Sequence, residues 1–219
     1  ALVGAAPGIQ TTTPSGAPGS SPGIIVRGFG SFSLSSGPLY VVDGAIYDGG
    51  FSNINPDDIE TITVLKDAST TALFGSKGAN GVIMITTKNG KGKLTVDVES
   101  FAGIRSPLKK VKMANSDEYV RYSNAAFIND FPQGRFSANQ PYNTDWFDEI
   151  TRTGSYTQNN ISISGSSENV KYFFSVGNYE EKGILNGSDY GRTTIRNNNE
   201  FKISEKVKLS QNFSVSTIK

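Results

Sequence analysis

From residue 93 onward the chain alternates apolar and polar side chains at a period of two, and this limits what it can fold into more than any other feature. Leu94, Val96, Val98, Ser100, Ala102 and Ile104 fall on one side of an extended strand, with Lys93, Thr95, Asp97, Glu99 and Phe101 on the other. Ile161 and Ile163 oppose Asn160, Ser162 and Ser164. Val170, Tyr172, Phe174 and Val176 oppose Lys171, Phe173, Ser175 and Gly177. Val207, Leu209, Phe213 and Val215 oppose Lys208, Ser210, Asn212, Ser214 and Ser216. The stretch 192–203 is less regular, because Ile195, Phe201 and Ile203 share a side with Asn197 and Asn199. Five strands are predicted.

The connections between them alternate: long (about 106–155), short (166–169), medium (181–189) and short (204–206). Transmembrane β-barrels alternate long external loops with short periplasmic turns, and strands of about 10 to 12 residues suit a tilted crossing. The longest apolar runs, such as 82–85, fall far short of the roughly 20 residues a spanning helix needs. Five strands cannot close a barrel. Both edges would present unpaired backbone groups to lipid at several kcal/mol each, so a larger barrel is expected and the chain reads as a fragment of it.

Upstream, residues 37–92 read as a small mixed α/β unit. The run 39–42 is apolar and β-prone, closed by Asp43-Gly44, a pair suited to a tight turn. Asn55 can cap a helical turn, because Pro56 has no N–H to leave unpaired and Asp57 and Asp58 face the positive end of the dipole. Residues 60–64 then alternate at the strand period. Asp67 is placed to cap a short helix over 68–74, ended by Gly75 in the left-handed conformation. Gly75, Gly78 and Gly81 let the backbone turn sharply before a strand over 82–87. Asn89-Gly90 signals a turn and a boundary near residue 92. The first 23 residues read as a turn-rich loop, followed by a strand over 24–26 that ends at Arg27-Gly28. They lack the basic start and apolar centre of a signal peptide, so the start of the chain is not expected to be the start of the gene.

These residues also carry a resemblance. Val26-Arg27-Gly28, the run 38–44, Asn55-Pro56-x-x-Ile59-Glu60, the run 64–68 and Gly75-Ser76-x-Gly78-Ala79-Asn80-Gly81-Val82-Ile83-x-Ile85-Thr86-Thr87-Lys88 follow one another in family order. Together they resemble the plug domain of SusC/RagA-like TonB-dependent outer-membrane transporters. Trp146-Phe147-Asp148-Glu149-Ile150 and Ile161-Ser162-Ile163-Ser164-Gly165 continue it less distinctively. Thr70-Thr71 and Leu73-Phe74 stand where the family more often has Ala and Ile-Tyr, conservative changes of packing.

The resemblance implies an α+β plug domain over 1–91, part of it expected before residue 1 together with the segment that TonB grasps. Residues 92–219 would then supply about the first five antiparallel strands of a transmembrane β-barrel of about 22 strands, with a long extracellular loop at 106–155. It implies an integral protein of the cell outer membrane that actively imports oligosaccharides or oligopeptides. Implied partners are a SusD-like surface lipoprotein lid, TonB of the inner-membrane energising complex, outer-membrane lipid and the imported ligand. Arg27, Gly28, Asp43, Gly44, Lys66, Asp67, Gly75, Gly78 and Gly81 are the candidate signature and gating positions. Arg27, Lys66 and Asp67 are expected to form a buried network, because charges inside a protein persist mainly when paired.

Composition argues against the other classes. At 219 residues the chain can hold one or two domains, and 21 basic against 20 acidic residues give no nucleic-acid footprint. Without Cys or His, thiolate and imidazole chemistry and the usual zinc sites are absent. Ser106-Pro-Leu-Lys109 matches Ser-x-x-Lys but lacks its Ser-Asp-Asn companion, and Pro107 disfavours the helix its serine requires. Asp43, Asp48, Asp57 and Asp58 lack the spacing of a calcium loop and are better read as turn and cap residues. No enzyme, cofactor or metal is expected. In the long connection, Asn115 with Glu118 reads as a capping box opening a helix to about Asn129, and residues 144–150 as a second short helix. Tyr119, Tyr122, Trp146 and Phe147 are candidate contact aromatics, although packing against the barrel rim or plug is the preferred reading. The rival to the transporter is a soluble all-β binding or adhesion module, whose strands alternate too.

Overall fold

Two larger sheets built on opposite rules organise this computed structural model, whose described residues are 9–12, 15–21, 23–26, 37–67, 72–137 and 139–219. The N-terminal unit begins with β1 (Ile9–Thr12) and β2 (Gly23–Val26), paired antiparallel with Ile9 opposite Val26. Sequence reading predicts only loop at β1. Four residues are too few to show a period, and it is the pairing with β2 that orders them.

β3 (Leu39–Val42) turns back into β4 (Ala45–Tyr47) through Asp43 and Gly44, whose φ of 49° and 87° are the two positive values a primed hairpin turn requires. Single turns of 3-10 helix follow at Phe51–Asn53 and Pro56–Asp58, the second capped by the Asn55 side chain as predicted. β5 (Ile59–Leu65) and β6 (Val82–Thr87) complete a four-stranded sheet of order β4-β3-β6-β5, in which β6 is parallel to β3 and antiparallel to β5. The helix predicted over 68–74 is described only in its second half. Residues 68–71 lie outside the described set, and Ala72–Gly78 forms 3-10 structure that runs past Gly75. Gly75 sits at φ 59° and ψ −146°, a region open essentially to glycine alone, so it breaks the segment into two short 3-10 turns. Ile24, Val26, Ile54, Ile83 and Ile85 form the buried core, with Tyr40, Val42, Tyr47, Phe51, Ile59, Ile62 and Val64 packed around it.

The second sheet is a meander of β7 (Thr95–Arg105), β8 (Gly154–Ser166), β9 (Val170–Lys182), β10 (Asp189–Lys202) and β11 (Lys208–Ile218), each antiparallel to the next. The less regular stretch, β10, is paired along both sides. Register aligns Val98, Ile161, Val176, Ile195 and Val215 in one row across all five strands. These residues are exposed, as are Leu94, Val96, Ile163, Phe174 and Phe213, whereas Asn160, Ser162, Ser175, Thr194, Arg196 and Asn198 on the opposite face are buried against the N-terminal unit. The sheet is therefore inverted relative to a soluble globule, polar inward and apolar outward.

The connection between β7 and β8 holds α1 (Ser116–Ala126), opened by the predicted capping box of Asn115 and Glu118, and α2 (Trp146–Ile150), capped by Asp145. No helix among the described residues is long and apolar enough to cross a membrane. Arg152 N donates to Ile184 O at 2.7 Å and Asn186 N to Ile150 O at 2.9 Å, tying this connection to the one between β9 and β10 at the same end of the sheet.

In the full-length protein, Val98→Lys puts a charge on the outward apolar row and is expected to cost about 2–4 kcal/mol of barrel stability, whereas Glu99→Lys on the inward face costs far less. The heat at which the folded barrel loses its fast gel mobility measures both.

Candidate functional site

The N-terminal unit meets the sheet through the turn that Asn55 and Pro56 open. Asn55 Nδ2 donates to Asn160 Oδ1 of β8 at 3.0 Å, and Gln158 Nε2, also of β8, donates to Asp57 Oδ2 at 2.6 Å. A Cβ added to Gly177 of β9 would lie 2.6 Å from Asn55 Nδ2, 2.9 Å from Thr194 Oγ1 and 3.1 Å from Asn160 Oδ1, so the missing side chain is the notch that receives Asn55.

One turn further, Asp58 is the buried charge at the centre of the contact. Ser175 Oγ of β9 donates to its Oδ1 at 2.6 Å, and Arg196 Nε of β10 lies 3.4 Å from Oδ2. Arg196 Nη1 reaches Asp43 Oδ2 at 3.7 Å. Asp43 in turn accepts from Thr87 N at 2.8 Å and from Thr87 Oγ1 at 2.6 Å. Asn198 Nδ2 donates to Thr87 Oγ1 at 2.8 Å and Lys88 O at 2.9 Å, and Lys88 N donates to Asp58 O at 2.8 Å, closing the network. Burial holds the Asp58 carboxyl above its usual range against the opposing pull of Ser175 and Arg196.

At the end nearer the long connection, Arg192 Nη1 donates to Ser52 O at 2.5 Å and Ile54 O at 3.1 Å. Its guanidinium lies 5.9 Å from the Tyr179 ring centroid, in a file of rings running Tyr156, Tyr179, Tyr190 at 6.5 and 6.1 Å. Arg105 pairs with buried Glu181 and lies 5.2 Å from the Tyr156 centroid. Beside them is a cavity of about 420 Å³ that also touches Ser15, Gly19 and Ser20.

The arrangement has a self-contained unit held against an inverted wall by polar contacts. The TonB-dependent Receptor Plug Domain family matches residues 1–82. The chain is 39% identical over 217 residues to the TonB-dependent receptor P26 of Formosa agariphila, covering 95% of this chain and 22% of that protein. Against the TonB-dependent receptor SusC of Bacteroides thetaiotaomicron it is 37% identical over 203 residues, covering 88% of this chain and 20% of that protein. The solved structure of the RagAB peptide importer in its closed-closed state superposes with a TM-score of 0.84 at 28% identity, over 96% of this chain and 27% of that one. The chain belongs to the SusC/RagA-like TonB-dependent receptors. It comprises the plug and the beginning of the barrel, and spans about a fifth of the length of the curated relatives, 22% and 20%.

Of the candidate gating positions, Asp43 enters the plug–barrel network, while Gly44 and Gly81 take positive φ in the turns that frame the plug sheet. Gly78 is buried. Arg27 and Gly28 lie outside the described residues. Lys66 and Asp67 are exposed in this chain. They stand at the end of β5, the edge strand of the plug sheet, and the buried charges come from Asp58 and Arg196. Asp58 is more than a cap residue, and Arg196 belongs to the inward side of β10, which its outward apolar residues do not reveal. The signal was present in the alternation Arg192, Thr194, Arg196, Asn198 on the inward face.

Tyr119, Tyr122 and Trp146 are exposed and Phe147 is half-buried in this chain. Tyr119 meets Phe136, 5.9 Å away within the same loop. Lys110 Nζ fastens that loop to α2 through Asp145 and Asp148 at 2.7 and 2.6 Å.

Replacing Arg196 with Met leaves Asp58 buried beside Ser175 alone and is expected to cost about 3–5 kcal/mol of plug seating, most of which Asp58→Asn in the same protein restores. Hydrogen exchange of β6 amides reads both. The titration of Asp58 has a definite sign: its folded carboxyl binds protons more readily than its unfolded one, so its contribution to plug stability rises as pH falls through the raised range toward 3.8. Acidification is therefore expected to slow β6 exchange in wild type, after correction for intrinsic rates, and this slowing should be absent in Asp58→Asn.

Proposed function

We propose that the full-length protein is an energised importer of the outer membrane. The plug would extend to about residue 91 and the barrel begin at about 92, with the 106–155 loop outside the cell. The observation that carries this reading is the contact between plug and wall. Asn160, Ser162, Ser175, Thr194 and Asn198 line the wall, and buried Phe173 is the large apolar residue that joins them. The apolar core belongs to the plug alone among the described residues. Such a plug can be shifted by exchanging protein hydrogen bonds for water, with little hydrophobic surface uncovered.

The family supports the rest of the reading. Cargo would be an oligosaccharide or oligopeptide, a SusD-like lipoprotein would close the lumen from outside, and TonB would draw on the inner-membrane proton gradient to move the plug. Lys66 and Asp67 would face strands that complete the barrel, and with Arg27 would help hold the plug there. The exposed aromatics Tyr119, Tyr122 and Trp146 would meet the lipoprotein or the cargo. A soluble binding module is disfavoured by the outward apolar rows, which water would meet directly.

The test uses the absence of cysteine from this chain. Asn55→Cys with Asn160→Cys, placed in the full-length protein, tethers plug to wall. Uptake of oligosaccharide or peptide by cells is expected to stop under oxidation and return on reduction, and to require TonB. Uptake that ignores the tether and TonB would remove the transporter reading.

A further inference from the structure

Four arginines lie on or beside the barrel strands at the plug interface and upper rim, and three have carboxylate partners: Arg105 with Glu181, Arg152 with Asp189, and Arg196 with Asp43 and Asp58. Among the described residues Arg192 has no carboxylate in ion-pair range. Its charge is met by two neutral plug carbonyls and the face of Tyr179. It also lines the 420 Å³ cavity, where the paired charges of Arg105 and Glu181 cancel and Gln158, Tyr179 and Tyr190 supply polar groups and ring faces. The cavity falls within the size range of small-ligand pockets. A lone cation in a partly desolvated recess concentrates positive potential there.

We propose that this cavity is a subsite for a carboxylate carried by the imported ligand, and that Arg192 is both its binding group and its link to the plug. The proposal rests on the importer reading and adds to it the charge of the cargo and the residue that senses it. A guanidinium bonds a carboxylate through two parallel N–H donors with opposite full charges on the two partners, an attraction that a neutral carbonyl does not offer. An arriving carboxylate therefore competes with Ser52 O and Ile54 O for Arg192 and releases the backbone immediately before Asn55, the residue seated in the Gly177 notch. Occupancy of the cavity thus loosens the plug at the turn that leads to Asp58.

The test is calorimetry on the purified full-length receptor with two matched pairs of probes: trigalacturonate against its full methyl ester, and an N-acetylated hexapeptide with a free against an amidated C-terminus. One charged member is expected to bind at least about tenfold more tightly than its uncharged partner at low salt. That preference is expected to shrink as salt rises and to vanish in Arg192→Gln, and the pair that shows it identifies whether the carboxylate sits on a sugar or a peptide. Equal binding within both pairs, no binding of either charged probe, or a preference that survives Arg192→Gln would each overturn the proposal. The wild-type comparison stands even if the variant fails to assemble. Failure of the importer reading is seen separately, as uptake by cells that ignores TonB.

Discussion

The contact between Asp58 and Arg196 fixes how the plug sits in the barrel. Both groups are nearly fully buried, so each loses most of its hydration, and their attraction has to offset that loss before anything is gained. Ser175, Asp43 and Thr87 supply the additional hydrogen bonds and charge that make the burial tolerable. What the pair contributes most clearly is register. Side chains alternate along β10, so a one-residue slip of the wall would turn Arg196 outward and present Ile195 or Asn197 to Asp58.

The two parts of the chain solve the burial problem differently. The plug gathers Ile24, Val26, Ile54, Ile83 and Ile85 into a core of its own and so keeps its internal packing whatever the wall does. The wall has no core of this kind. Its strands are held by the continuous ladder from β7 to β11, and the aliphatic rows of their outer face turn away from everything the chain itself provides. In an ordinary α+β domain the sheet's greasy face would lie under the other layer, and separating the layers would expose it to water. Here the layer between plug and wall is mostly Ser, Thr, Asn and one charge network, with Phe173 as its large apolar member, and for most of it water is an adequate substitute.

Most of the wall was legible in the sequence because a period of two survives any register. Val98, Ile161, Val176 and Val215 mark the same face before any pairing is known. The turn chemistry was legible for the same local reason: Asp43-Gly44, Asn55-Pro56 and the Asn115 to Glu118 capping box need only neighbours in sequence. Three things were not legible. β1 depends on a partner in β2 that composition cannot point to. The 3-10 path through Gly75 follows from a backbone conformation that glycine permits but does not announce. The Asp58–Arg196 pair joins residues 138 positions apart, and nothing local to either one distinguishes it from a cap or a solvated charge.

Arg192 and Arg196 lie four residues apart on one face of β10, about 13 Å along the strand. Between them, Thr194 pairs across to Gly177, the notch that receives Asn55. The wall therefore grips the plug on three successive levels. The first is accessible from a cavity, the second depends on shape, and the third is a buried ion pair. The outermost hold is made of neutral carbonyls on a single guanidinium and is the easiest to exchange, while the innermost needs two charges to be rehydrated together. A disturbance entering at Arg192 reaches Asp58 through seven residues of plug backbone, from Ser52 to Asp58, that carry two 3-10 turns and touch the wall at each level. The order of the three holds thus makes the Arg192 end of the interface the one that yields first and the Asp58 end the one that decides whether the plug stays.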